Sequence, residues 1–279
     1  MNYSKRNWIA LGISAIVTII IVALLTVLIG HSTIGDMIIG KIDSRVYPFS
    51  LQNLMHLFFF IGLGQLFVRW LSSYEENVFL KMSGFLPEEE DKIIKNDDEL
   101  ENIRTNVANA AVRGDAFLPD LINSCITQYF KSHSVSDTLS VLNSTLELNI
   151  HRLDLRYSII RYIVWAIPTF GFIGTVIGIA GALGKLDINK FLGAHIDKVT
   201  QFKALTSDLG FAFNTTIVAL CLSAILVFLL HVVQRAEEQG LNNAGKYVLS
   251  NLINRLSVKS NSYTRNYKRP SIKDTNEKS

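Results

Sequence analysis

The chain has 279 residues, 49% of them hydrophobic and 18% charged, with a formal net charge of +3. Its 2 cysteines, Cys125 and Cys221, occur without a CxxC or Cys/His cluster, which excludes a disulfide framework or a metal site of the usual spacing. No nucleotide-binding loop, nucleophile constellation or cofactor motif is present, and nothing points to nucleic acid, so the sequence does not read as an enzyme.

The apolar residues come in blocks. Residues 8–30, 49–68 and 162–184 carry no Asp, Glu, Lys or Arg, and 209–233 adds only His231. Each block reaches the ~20 residues that a helix needs to cross ~30 Å of hydrocarbon. The expectation is an all-α membrane protein with four transmembrane helices, at about 8–30, 49–71, 162–184 and 209–233. The first block follows Lys5 and Arg6 as a signal peptide would, but it is too long for a cleaved hydrophobic region, and Gly30-His31-Ser32-Thr33 is a poor cleavage site. It reads as an anchor. Counting only Lys and Arg near span ends, nine would lie inside against six outside if both termini are cytoplasmic, which sets the orientation.

The second span contains His56 and the run Phe58-Phe59-Phe60, which we read as lipid-facing bulk. His56 is expected near the outer end, bonded to water or a carbonyl. The span closes on Arg69-Trp70, a pairing suited to the membrane interface, with the arginine snorkelling. Residues 72–157 hold 8 basic and 15 acidic side chains but keep an apolar beat, which predicts a small helical cytoplasmic segment. Leu86-Pro87-Glu88 reads as a helix start, and the acidic cluster 88–101 as a solvated face. Ser136-Asp137 is a credible cap for a helix running without a break to Pro168, so the third span should begin well inside the cytoplasm, with Pro168 as a pivot.

The chain is organised around residues 167–184, IPTFGFIGTVIGIAGALG. Gly171, Gly174, Gly178 and Gly181 recur at steps of three and four, placing them on one helix face with Thr175 among them. In lipid such a face lets backbones approach closely while a hydroxyl bonds across the contact. The fourth span carries a matching small polar face of Asp208, Ala212, Thr215, Thr216, Ala219 and Ser223, with Phe211, Phe213, Leu220, Ile225 and Leu226 mostly elsewhere. Asn214 is expected to bond between helices, and Asp208 and Lys185 to be solvated loop charges. Beyond Val233 the beat of Leu241, Val248, Leu252 and Leu256 extends the fourth helix into the cytoplasm before a basic tail. The domains are then 1–71 (first two spans), 72–157 (cytoplasmic segment), 158–234 (core with the last two spans) and 235–279 (helical extension and tail).

The run PTFGFIGTVIG (168–178), followed after a loop by AFNTTIVAL (212–220), resembles the MotA/TolQ/ExbB family of proton-channel motor subunits. The wording of residues 165–175, WAIPTFGFIGT, is similar to the A subunits of Zorya-type anti-phage motors. The resemblance implies a homopentamer in the bacterial inner membrane around a dimer of a single-span B subunit whose transmembrane aspartate carries the ion. Thr175 and Thr215, with Thr216 as neighbour, would line the ion pathway, and Pro168, the glycines, Ala212 and Ala219 would serve packing and bending. No cofactor is implied. The carried ion is a proton, with sodium left open because hydroxyl-lined faces suit either. From the residues alone one point agrees: no span has an acid in its interior, so a partner must supply the group that takes up a proton. The alternative is a non-conducting scaffold that oligomerises through its glycine faces.

Overall fold

In the computed structural model the described residues are 3–29, 32, 35, 38–39, 49–81, 86–87, 94, 97–110, 117–184 and 198–256. Six α-helices make up nearly all of them: α1 (Tyr3–Ile29), α2 (Leu51–Lys81), α3 (Asp97–Ala110), α4 (Phe117–Ser132), α5 (Val135–Gly184) and α6 (Lys198–Asn251). A 3-10 turn, Ile253–Arg255, follows α6. Four helices, α1, α2, α5 and α6, are long and apolar enough to cross a membrane.

α5 and α6 form the axis of the molecule. At 50 and 54 residues they are roughly 75 and 80 Å long, more than twice what a bilayer core needs. They pack antiparallel, with α2 against both, α1 on the outside of α2, and α3 and α4 at the polar end. The seam on α5 is a 3.6-residue stripe of Leu142, Asn149, Leu153, Tyr157, Ile160, Ile163, Ile167, Gly171 and Gly174, all buried. Its counterpart on α6 runs from Ala212 through Leu226, Leu230 and Val233 to Leu241, Ala244 and Val248, with Leu252 just past the helix end. Gly245 admits the Leu146 side chain, whose methyls would lie 2.9 Å from any added Cβ, so this glycine inside the helix serves close packing.

α1 is exposed along Ile9, Ile13, Ile16, Ile19 and Ile20, as a lipid-facing helix should be, while Ser14 and Thr18 turn inward and Thr18 Oγ1 bonds back to the Ser14 carbonyl at 2.7 Å. At the polar end, Leu118, Leu121, Ile122, Cys125 and Ile126 of α4 complete the core.

Several expectations need correction. Helix α2 does not stop near residue 71 but continues to Lys81, because nothing in LSSYEENVFLK breaks a helix. α6 begins at Lys198, ahead of the apolar block. The cap of α5 is Ser134, whose Oγ accepts the Asp137 amide at 3.2 Å, the N3 donor of the first turn, after His133 reverses the chain with φ 46°. Phe59 is buried and the Phe58 ring lies 5.3 Å from that of Phe170, tilted by 46°, so the phenylalanine run meets protein. Leu226, assigned to the other side of α6, is fully buried opposite Gly62. Leu86 and Pro87 are not helical, and Leu86 is buried; Glu88 and the acids up to Asp91 lie outside the described residues, while Asp97, Asp98 and Glu99 form the first turn of α3.

Candidate functional site

The two small-residue faces meet each other within one chain. Gly171 and Gly174 are buried, and Ala212, Thr215 and Ala219 opposite them have no exposed surface. A Cβ added to Gly174 would stand 2.6 Å from Thr215 Oγ1, and one on Gly178 would stand 2.5 Å from the Ala212 Cβ. Only glycine allows helices this close, and the gain is dispersion and direct access of hydroxyls to the facing backbone. Gly181 departs from the expectation. It is exposed with nothing within 4 Å of a Cβ, while the next residue, Ala182, is buried, so after Gly178 the inward position falls to Ala182.

Three hydroxyls gather at this contact around two carbonyls. Thr215 Oγ1 donates to the Ala212 carbonyl at 2.7 Å and Thr216 Oγ1 to the Gly171 carbonyl at 3.1 Å, across the seam. Thr175 Oγ1 lies 3.2 Å from the Gly171 carbonyl and 3.3 Å from the Ala212 carbonyl and is bonded to Thr216 Oγ1. Each hydroxyl has one proton and two lone pairs, so Thr175 cannot satisfy all three neighbours as donor. The cluster can therefore exchange donor and acceptor roles without moving a helix. Thr175 and Thr216 are half-buried; Thr215 is sealed against Gly174. The first two can offer an oxygen to a group outside this chain, and Thr215 holds the backbones in place.

Pro168 lies inside α5, which runs unbroken through it one turn before Gly171. His56 Nδ1 sits 2.7 Å from the Gln52 carbonyl at the far end of α2, in the local contact expected of it. Asn214 is half-buried and makes no hydrogen bond among the described residues, so it does not tie the helices as expected. Asp208 is half-buried at the start of the apolar part of α6, and Lys185 lies outside the described residues.

A second polar group, not anticipated from the sequence, sits where α2, α4, α5 and α6 meet. Arg69 does not snorkel. It is 3% exposed, paired with the equally buried Glu237 at 3.5 Å, with its guanidinium carbon 5.7 Å from the centre of the Tyr157 ring. Tyr157 donates its hydroxyl to the other Glu237 oxygen at 2.7 Å. Two turns further along α2, the buried Glu76 accepts the amides of Phe117 and Leu118 at 3.2 and 3.0 Å, which anchors the N-terminus of α4. A cavity of about 30 Å³ lies among Ser72, Ser73, Glu76, Arg156 and Glu237, large enough for a water. The signal in the sequence is a charge on each apolar beat: Glu237 falls between Val233 and Leu241, and Arg69 between Leu66 and Ser73. Trp70 stays at the surface beside Phe67 and Tyr74, as an interface aromatic would. Both cysteines are free; Cys125 is buried, which pushes its thiol up to about 12. Among the described residues no cluster of His, Cys, Asp and Glu could hold a metal ion.

The model of the MotA/TolQ/ExbB proton channel family matches residues 102–244, just over half of the chain, from α3 through the apolar part of α6. No curated protein and no solved structure matches the chain.

Proposed function

Because this chain belongs to the MotA/TolQ/ExbB proton channel family, we propose that it is the A subunit of a proton-driven membrane motor, five copies of which surround two copies of a single-span B subunit. The observation that carries this reading is the half-buried pair Thr175 and Thr216, set on a close-packed helix contact inside spans that contain no acid. Neutral hydroxyls there can hydrogen-bond a carboxylate in either protonation state, accepting from the acid and donating to its anion. They cannot carry charge alone, so a partner aspartate supplies the titrating group. Passage of the proton then changes which hydroxyls that aspartate engages, and the pentamer and the dimer turn relative to each other.

The complex lies in the bacterial inner membrane with both termini of this chain in the cytoplasm. The resemblance of residues 165–175 to Zorya-type A subunits favours defence against phage as the work that is powered. The scaffold reading is weaker, because the glycine faces are used within one chain, against Ala212, Thr215 and Ala219, which leaves them little to offer a neighbouring copy.

Two measurements test the proposal. Co-expression with a genomic neighbour encoding a single-span protein should give, by native mass measurement, a complex of five chains with two; a complex of this chain alone sinks the stoichiometry. In vesicles, Thr175→Val and Thr216→Val should each cut proton flux at least tenfold while assembly survives, since valine keeps the shape and removes the hydroxyl. Full flux in both variants would remove these residues from the pathway.

A further inference from the structure

Proline has no amide proton, so Pro168 leaves the carbonyl of Val164, four residues earlier, without its helical donor. Ser223 fills that vacancy from the other helix: its Oγ donates to the Val164 carbonyl at 3.2 Å. In a membrane span a freed carbonyl needs a partner, and a hydroxyl from a neighbouring helix is one of the few available. The bond is part of a register. Val164 and Gly171 are seven residues apart on α5, Ser223 and Thr216 seven apart on α6, and each pair makes the same hydroxyl-to-carbonyl bond across the seam. Ser223 is 8% exposed, so water does not compete easily for it.

We infer that Ser223 is a positioning residue, whose hydroxyl stands in for the amide that Pro168 lacks and latches the interrupted turn of α5 to α6. The same hydroxyl has a second acceptor within its own helix, the Ala219 carbonyl four residues back, which is the usual local bond of a helical serine. Rotation about one side-chain bond therefore switches α5 between a latched state and one free to bend at Pro168. Since the threonine cluster begins one turn beyond the proline, the latch sets how Thr175 is presented. Its importance for ion flow rests on the function proposed above; its existence does not.

A double-substitution cycle on the full-length chain tests the latch. Pro168→Ala returns an amide to the Val164 carbonyl and makes the serine redundant. In detergent, Ser223→Ala should speed hydrogen exchange of the amides of residues 169–172 by about two- to tenfold, the range for one lost hydrogen bond, in the chain with Pro168. In the Pro168→Ala background it should change nothing. Equal acceleration in both backgrounds, or none in either, overturns the latch. With the B subunit in vesicles, Ser223→Ala should lower proton flux severalfold and Ser223→Thr, which keeps the donor, should restore it. Flux unchanged in Ser223→Ala while exchange responds would overturn the positioning role. A wild-type complex that conducts no protons would instead sink the proposed function, with the exchange result still deciding the latch.

Discussion

A glycine whose missing Cβ is already replaced by a neighbour's atoms cannot be substituted without moving a helix. At Gly174 and Gly178 the neighbours are Thr215 and Ala212, at 2.6 and 2.5 Å, while at Gly181 nothing stands within 4 Å. Gly174→Ala and Gly178→Leu should each destabilise the chain by about 1–3 kcal/mol or more, as overpacking does. Gly181→Ala should be neutral or slightly stabilising, because alanine is the better helix former by ~1 kcal/mol. Thermal unfolding midpoints in detergent report the difference; a similar loss in all three variants would mean that the α5–α6 contact is not where the glycines act. The spacing of three and four makes the shared face of Gly171, Gly174 and Gly178 legible in the sequence, since 3.6-residue periodicity alone brings them together. Steps of three and four leave two candidates after Gly178, and spacing cannot choose between them: Ala182 is the one that turns inward, while Gly181 is exposed. Nor does spacing separate Thr215 from Thr216. Adjacent residues point about 100° apart, and only the facing backbone decides that Thr215 is sealed and Thr216 half-open.

At the scale of elements, the junction of α2, α4, α5 and α6 depends on charges that are almost wholly buried. Glu237 neutralises Arg69 and accepts the Tyr157 hydroxyl, so Glu237→Gln leaves a buried guanidinium without its counter-charge. The expected loss is about 3–5 kcal/mol, the range for breaking a buried pair from one side. Arg69→Met combined with Glu237→Gln should recover a good part of it, because the unpaired charge is gone. Denaturation of the single and double variants in detergent decides; a double variant as unstable as the sum of the singles would show that the two residues act separately. The helices themselves are readable from the length of each apolar block and the beat beyond it. The junction is not, because Arg69 next to Trp70 fits an interface anchor as well as a buried ion pair. The two readings separate only when Glu237, 168 residues later, is found 3.5 Å away. The ends of α2 and α6 escape sequence reasoning for a related reason. A helix stops where its backbone loses donors or meets a breaker, and the edge of an apolar block is neither.

For the whole molecule, an even number of spans before and between the polar pieces places them all on one side. With α1, α2, α5 and α6 each crossing once, the segment before α1, the layer of α3 and α4, and the chain after the apolar part of α6 must share a compartment. The layer supports that grouping independently of charge. Tyr157 of α5 bonds Glu237 of α6, Glu76 of α2 holds α4, and Ile94 N–H bonds the Arg255 carbonyl beyond α6, so segments far apart in the chain close on one another at the same end. The excess of Lys and Arg at that end, nine against six, is the ground for proposing that it faces the cytoplasm. Thr105 and Asn109, one turn apart on the exposed face of α3, are suitable reporters. Native Cys125 does not interfere, being buried, with its thiol pushed up to about 12 and so almost wholly protonated at neutral pH. Thr105→Cys, in a chain with Cys221→Ala, should resist a membrane-impermeant maleimide in intact spheroplasts and react fully once the membrane is opened. Labelling of intact spheroplasts would turn the molecule over. It would set the α3–α4 layer, the segment before α1 and the chain after the apolar part of α6 outside.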